Sequence, residues 1–108
     1  MKALQISIPI AALLLVCANQ TRADEALAQQ SGCLECHSVD KKAIGPAYHD
    51  IAAKYKNNAR ARDLLIEKVK KGGKGNWTEI TGGVPMPPHS PRLTDAEIKR
   101  LVDWVLSR

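Results

Sequence analysis

Ile98, Leu101, Val102 and Val105 recur at i, i+3, i+4 and i+7, which lays one apolar stripe along a helix face and predicts that the chain closes on a helix. Thr94, followed three residues later by Glu97, is a capping box at its start, and Leu93 just before the cap is placed to staple onto Ile98. Asp95 and Glu97 add negative charge where the helix dipole is positive. The same period predicts a helix over residues 60–71, with Leu65, Ile66 and Val69 on its apolar side and Gly72-Gly73 as its stop. Tyr48, Ile51, Ala52 and Tyr55 mark another, entered through Gly45-Pro46, and residues 24–30 form a short one before a cysteine pair. These stripes read as core. No stretch after residue 23 alternates apolar and polar positions with β-branched enrichment, so the predicted class is all-α, about four short helices in a single domain. Over residues 74–92 glycines and prolines crowd in and the period disappears, which predicts a long irregular loop. A loop of that length in so small a domain is either disordered or functional.

Composition changes the picture in one respect. The 108 residues include no Phe, two Trp and two Tyr, too few large side chains for a dense protein-only core. Chains of this size often depend on a metal, a disulfide or a cofactor, and a buried flat aromatic cofactor would repair this deficit. At the other end of the chain, Met1 and Lys2 form a short basic start. They precede an apolar run over residues 6–18 that only Ser7 and Pro9 interrupt, which reads as a cleaved export signal, short for a bilayer span. Thr21-Arg22-Ala23 places small residues three and one before a cut. That gives a signal peptide over 1–23 and a domain over 24–108 starting at Asp24; Val16-Cys17-Ala18 is a second cut site. An uncleaved membrane anchor and a lipid-modified Cys17 are the competing readings. Cutting after Ala23 leaves 14 basic against 11 acidic residues, a formal charge of +3. That mild excess is spread out and has no basic run interleaved with aromatics, which argues against nucleic-acid binding. Some of the lysines would ring a docking site for an acidic partner.

The same cut removes Cys17 and leaves two cysteines, in Cys33-Leu34-Glu35-Cys36-His37. This is the attachment signature of c-type haem. Residues three apart on a helical turn share a face, so two thiols there can each add to a vinyl group along one haem edge while the next residue, His37, turns its imidazole to the iron. A zinc site would need a further matched ligand pair, and His49 and His89 are isolated and far apart. A dithiol redox motif would need a thioredoxin-like βαβ context, which the missing strands deny. A second iron ligand has three candidates: Met86, His49 and His89. Met86 stands in Val84-Pro85-Met86-Pro87-Pro88, where flanking prolines fix an extended backbone able to hold a thioether against iron; His89 is its rival.

Six blocks in order then resemble the short bacterial class I cytochromes c, the cytochrome c-551/c-552 family. They are Gly32-Cys33-Leu34-Glu35-Cys36-His37, Ile44-Gly45-Pro46-Ala47-Tyr48, Ile51-Ala52-Ala53-Lys54-Tyr55, Gly75-Asn76-Trp77, Pro85-Met86-Pro87-Pro88 and Trp104-Val105-Leu106. The resemblance implies a class I cytochrome c fold around one covalent haem c with its iron. It also implies a Pro46 carbonyl on the outer nitrogen of His37 and a Trp77 indole donating to a haem propionate. Two features depart from the family pattern. The stretch from Thr78 to Val84, with Gly82-Gly83, is longer than usual, and His89 stands where an Asn often follows Met-Pro-Pro. Both are expected to shift the reduction potential.

Imidazole and neutral thioether on iron leave no open position, which suits electron transfer rather than oxygen or peroxide chemistry and favours the ferrous state. The expected function is a periplasmic, monomeric, non-enzymatic carrier. It would shuttle single electrons between a membrane quinol-oxidising complex and a terminal reductase or oxidase, with no stable membrane insertion once the signal is cut. A small haem peroxidase and a gas-binding sensor module are the alternatives, and neither has a supporting residue in the sequence.

Overall fold

The computed structural model describes the backbone of residues 2–5 and 10–108, and the side chains of 2–5 and 19–108. The whole apolar run over 6–18, with Cys17, therefore lies outside the described side chains. Among the described residues there are six helices and no strand: α1 (Ile10–Gln30), α2 (Cys33–Cys36), α3 (Tyr48–Tyr55), α4 (Ala61–Lys71), α5 (Thr78–Thr81) and α6 (Asp95–Leu106). The all-α expectation holds, with four longer helices and two single turns. Two boundaries differ from the sequence reading. Helix α1 begins at Ile10 rather than near Asp24, because the Ala- and Leu-rich segment that follows is made of strong helix formers and no glycine or proline interrupts it. The segment over 74–92 is not wholly irregular, since α5 forms within it and ends on Gly82 in the left-handed conformation.

Helix α6 is the keystone of the packing, lying against α1, α3 and α4. Its capping box is complete: the Glu97 backbone N–H donates to the Thr94 hydroxyl at 3.2 Å and the Thr94 N–H to the Glu97 carboxylate at 3.0 Å. Of the stripe expected to face inward, Ile98, Leu101 and Val102 are buried and Val105 is partly buried; Trp104, outside that stripe, is buried as well, with Leu93 in the same cluster. Ion pairs fix the flanks. Arg100 pairs at 2.9 Å with Asp24 on α1, and Arg62 on α4 pairs at 2.7 Å with Asp103. The Arg62 pair is exposed, so it contributes little. Asp24 is nearly buried, so the Arg100 pair fixes where α1 crosses α6. Arg92 adds a further tie, donating to the Ser31 carbonyl at 3.0 Å in the turn after α1.

After α4 the chain leaves as a loop and returns beside its own starting point. The Gly73 N–H donates to the Met86 carbonyl at 2.9 Å and the Met86 N–H to the Gly73 carbonyl at 3.0 Å, a single antiparallel bridge. Farther on, His89 N–H donates to the Val69 carbonyl at 3.0 Å, so the returning strand is laid along the end of α4. A proline-rich segment that donates few backbone hydrogen bonds of its own is thereby registered at Met86 and again at His89.

Candidate haem site

The cysteine pair occupies one helical turn. In α2 the chain makes a single turn over Cys33–Cys36, which puts the two thiols on one face. His37 then leaves the helix in an extended conformation, with φ −117° and ψ 155°. The segment after it folds back on the motif. Gly45 N–H donates to the Cys36 carbonyl at 2.7 Å, Tyr48 N–H to Ser38 at 2.9 Å and His49 N–H to Val39 at 2.9 Å. This return brings the Pro46 carbonyl 2.7 Å from His37 Nδ1. A carbonyl only accepts, so Nδ1 carries the proton and Nε2 keeps its lone pair for a metal.

Two further contacts hold the imidazole. The Tyr48 ring stacks on it with centroids 4.9 Å apart and planes 21° apart, and Trp104 meets Tyr48 edge-on at 5.5 Å. Gly45 passes so close that an added Cβ would lie 2.6 Å from His37 Cε1 and 2.8 Å from Nδ1. Alanine at 45 would drive the ring off both Pro46 and Tyr48. Gly45→Ala is expected to cost about 1–3 kcal/mol as an overpacking change. It is also expected to move the reduction potential, and a melt with a redox titration checks both. A stable variant with the parental potential would show that the ring has room to move.

Electrostatics follow the burial. Burial chiefly pushes the Cys33 thiol up, with a hydrogen bond from Tyr48 and the Arg92 charge partly offsetting it. Cys33 and Cys36 are both free rather than disulfide-bonded. Burial, and next to it the Cys33 thiol, holds the Tyr48 phenol far above its ordinary range. His37 is pushed down, first by burial, with the Pro46 carbonyl pulling back and His89 pushing further. The imidazole is therefore neutral, the form a metal requires.

One cavity gathers these groups. Cys33, Cys36, His37, Pro46, Trp77, Met86 and His89 all line it, and Ile51, Leu65, Val69, Leu101, Val102 and Val105 supply apolar wall from α3, α4 and α6. His49 does not take part: it is exposed, in a separate groove beside Arg62 and Leu106. Trp77 is half-buried against the core at the start of α5, with Lys54 Nζ 4.5 Å from its ring centroid. Sequence reasoning missed three positioning residues. Tyr48 was legible as part of a helix stripe and Gly45 as a helix entrance, and both, with Lys54, stood in blocks of the resemblance without a role assigned to them.

The cytochrome c family profile matches residues 25–108. The chain belongs to the cytochrome c family. It is 54% identical over 84 residues to cytochrome c-551 of Allochromatium vinosum, covering 78% of this chain and 84% of that one. Among solved structures it is similar to wild-type Nitrosomonas europaea cytochrome c552, with a TM-score of 0.68 at 42% identity, covering 77% of this chain and 96% of that one. The class 1 cytochrome MtoD of Sideroxydans lithotrophicus ES-1 gives a TM-score of 0.68 at 35% identity, covering 80% and 92%. The fold is thus that of a class I cytochrome c, and its cofactor is a covalently attached c-type haem with its iron. The cavity suits that group: apolar walls for a flat macrocycle, two free thiols and a neutral imidazole. The cytochrome's homologues are small electron carriers, so it works with redox partners. No helix among the described residues is long and apolar enough to cross a membrane.

Proposed function

We propose that this cytochrome holds its iron between His37 and Met86 and carries single electrons in the periplasm, from a membrane quinol-oxidising complex to a terminal reductase or oxidase. The observation that carries the reading is the common cavity. Met86 reaches it on a segment registered against Gly73 by a single bridge, and His37 reaches it with Nδ1 already engaged by Pro46. In this reading Cys33 and Cys36 form the two thioethers, and Trp77 lies where a propionate would accept from its indole. When bound, the haem supplies a one-electron couple. The residues around it supply a neutral nitrogen, a neutral sulfur and a largely apolar wall; the soft sulfur and the apolar wall disfavour added positive charge and raise the potential. Ile44 and Val84, both exposed at the cavity, and Lys68 and Lys74 beside them suit a brief encounter with an acidic partner. Export would remove residues 1–23 and leave a monomeric domain over 24–108, beginning at Asp24.

Purified oxidised protein is expected to show the weak far-red absorption band of sulfur bound to ferric iron. Met86→Ala is expected to abolish it. The same change should lower the potential by on the order of a tenth or more of the roughly 0.8 V that axial ligands command. Retention of the band in that variant would remove Met86 from the iron. Peroxide turnover at the rate of a dedicated peroxidase would replace the carrier reading with an enzymatic one.

A further inference from the structure

His89 is the buried titratable group that electron transfer through His37 and Met86 leaves unused. It is only 5% exposed, lines the haem cavity, and has Nδ1 buried without a hydrogen-bond partner among the described residues. A buried polar nitrogen left unpaired costs about 1–3 kcal/mol, and the chain could have avoided that with an apolar residue. The backbone around it is fixed: His89 N–H donates to Val69 at 3.0 Å and its carbonyl accepts from Leu93 at 2.8 Å. The main chain at His89 is thus fixed beside α4, with the imidazole lining the cavity.

We propose that His89 is a resident reserve ligand, which occupies the iron position of Met86 whenever the sulfur is lost from it. This rests on the His37–Met86 reading above. The exchange needs no proton and no electron. The bond that breaks joins the Met86 sulfur to iron, and the bond that forms joins a ring nitrogen of His89 to iron through its lone pair. Burial first, and the Arg92 charge next, favour the neutral imidazole that can do this, while the Val69 and Pro87 carbonyls act in the other direction. Two nitrogen ligands would keep the iron six-coordinate and closed to small molecules. Loss of Met86 would then leave an electron carrier of lower potential rather than an open haem prone to peroxide chemistry.

The test compares holoprotein of the parent, Met86→Ala, His89→Ala and the double variant by electron paramagnetic resonance, resonance Raman and carbon monoxide titration. Met86→Ala is expected to be low-spin with two nitrogen ligands. The double variant is expected to be high-spin and to bind carbon monoxide roughly tenfold or more tightly, because apparent affinity scales with the fraction of iron left open. His89→Ala alone keeps the far-red band. A high-spin Met86→Ala protein with the carbon monoxide affinity of the double variant overturns the proposal, and so does a low-spin double variant, which would point to another nitrogen. Absence of the far-red band from the parent instead defeats the His37–Met86 reading itself, and its appearance in His89→Ala would make His89 the resting ligand. Should Met86→Ala fail to retain haem, Met86→Leu of similar volume gives the same comparison.

Discussion

Replacing both Cys33 and Cys36 with alanine is expected to give a polypeptide whose mass exceeds its amino acids by nothing and whose helices do not survive in solution. The inward sides of α3, α4 and α6 also wall a shared cavity, through Ile51, Leu65, Val69, Leu101 and Val102, that the helices do not fill by packing on one another. The interior has no Phe to fill that space, and among the described residues Tyr48 and Trp104 are the only aromatic side chains in its buried cluster. An unfilled cavity forfeits dispersion contacts and leaves apolar walls wet. Against the roughly 5–15 kcal/mol that holds an ordinary domain together, loss of the haem is expected to remove about 5 kcal/mol or more. Mass spectrometry and far-ultraviolet circular dichroism check the two parts of the expectation. Each single alanine variant keeps one thioether and is expected to lie between the extremes. A double variant that stayed helical and melted cooperatively would show that the protein core suffices alone.

Gly72→Ala is expected to be the most damaging single change outside the haem-binding motif. Gly72 has φ 69° and ψ −154°, a backbone region open essentially to glycine alone. Its missing Cβ is also where the returning strand passes: a methyl there would overlap the Met86 carbonyl oxygen and lie 2.8 Å from Pro87 C and Pro88 N. All three are backbone atoms, so no side chain can turn aside. Backbone strain and overpacking, each about 1–3 kcal/mol, act together, and a loss of about 3 kcal/mol or more is expected in chemical denaturation. The far-red band should weaken as well, because the displaced atoms carry Met86. Gly82→Ala is the control. It too has a positive φ, 63°, but nothing lies within 4 Å of its added Cβ, so a cost of about 1 kcal/mol and an unchanged band are expected. Equal damage at both positions would mean that backbone conformation alone, and not the approach to Met86, sets the effect.

Features carried by local chemistry were legible before the fold was known. The α6 stripe, its Thr94–Glu97 cap and the glycine stop of α4 each depend on residues within a few positions of one another, and all are present. The Cys33–His37 motif is equally local, since one helical turn sets its geometry. What escaped depends on pairs distant along the chain. The Gly73–Met86 bridge, the cation above Trp77, the stacking of Tyr48 on His37 and its edge contact with Trp104 arise only when separate segments meet. The burial of His89 belongs to the same class: the sequence offers it as a rival of Met86, but only the meeting with α4 at Val69 encloses it. The short helix α5 was hidden for another reason: four residues are too few to display a period.

The bridge at Gly73 also separates the polypeptide between its two rungs from everything beyond them. Because residues 74–85 start and finish at a fixed pair, lengthening them adds only the entropy of a larger closed loop, about 0.6 kcal/mol per doubling, and transmits no displacement to Met86. The Gly82-Gly83 tip, facing open space, is thus a natural point for grafting a recognition peptide or tag onto this cytochrome without pulling on Met86.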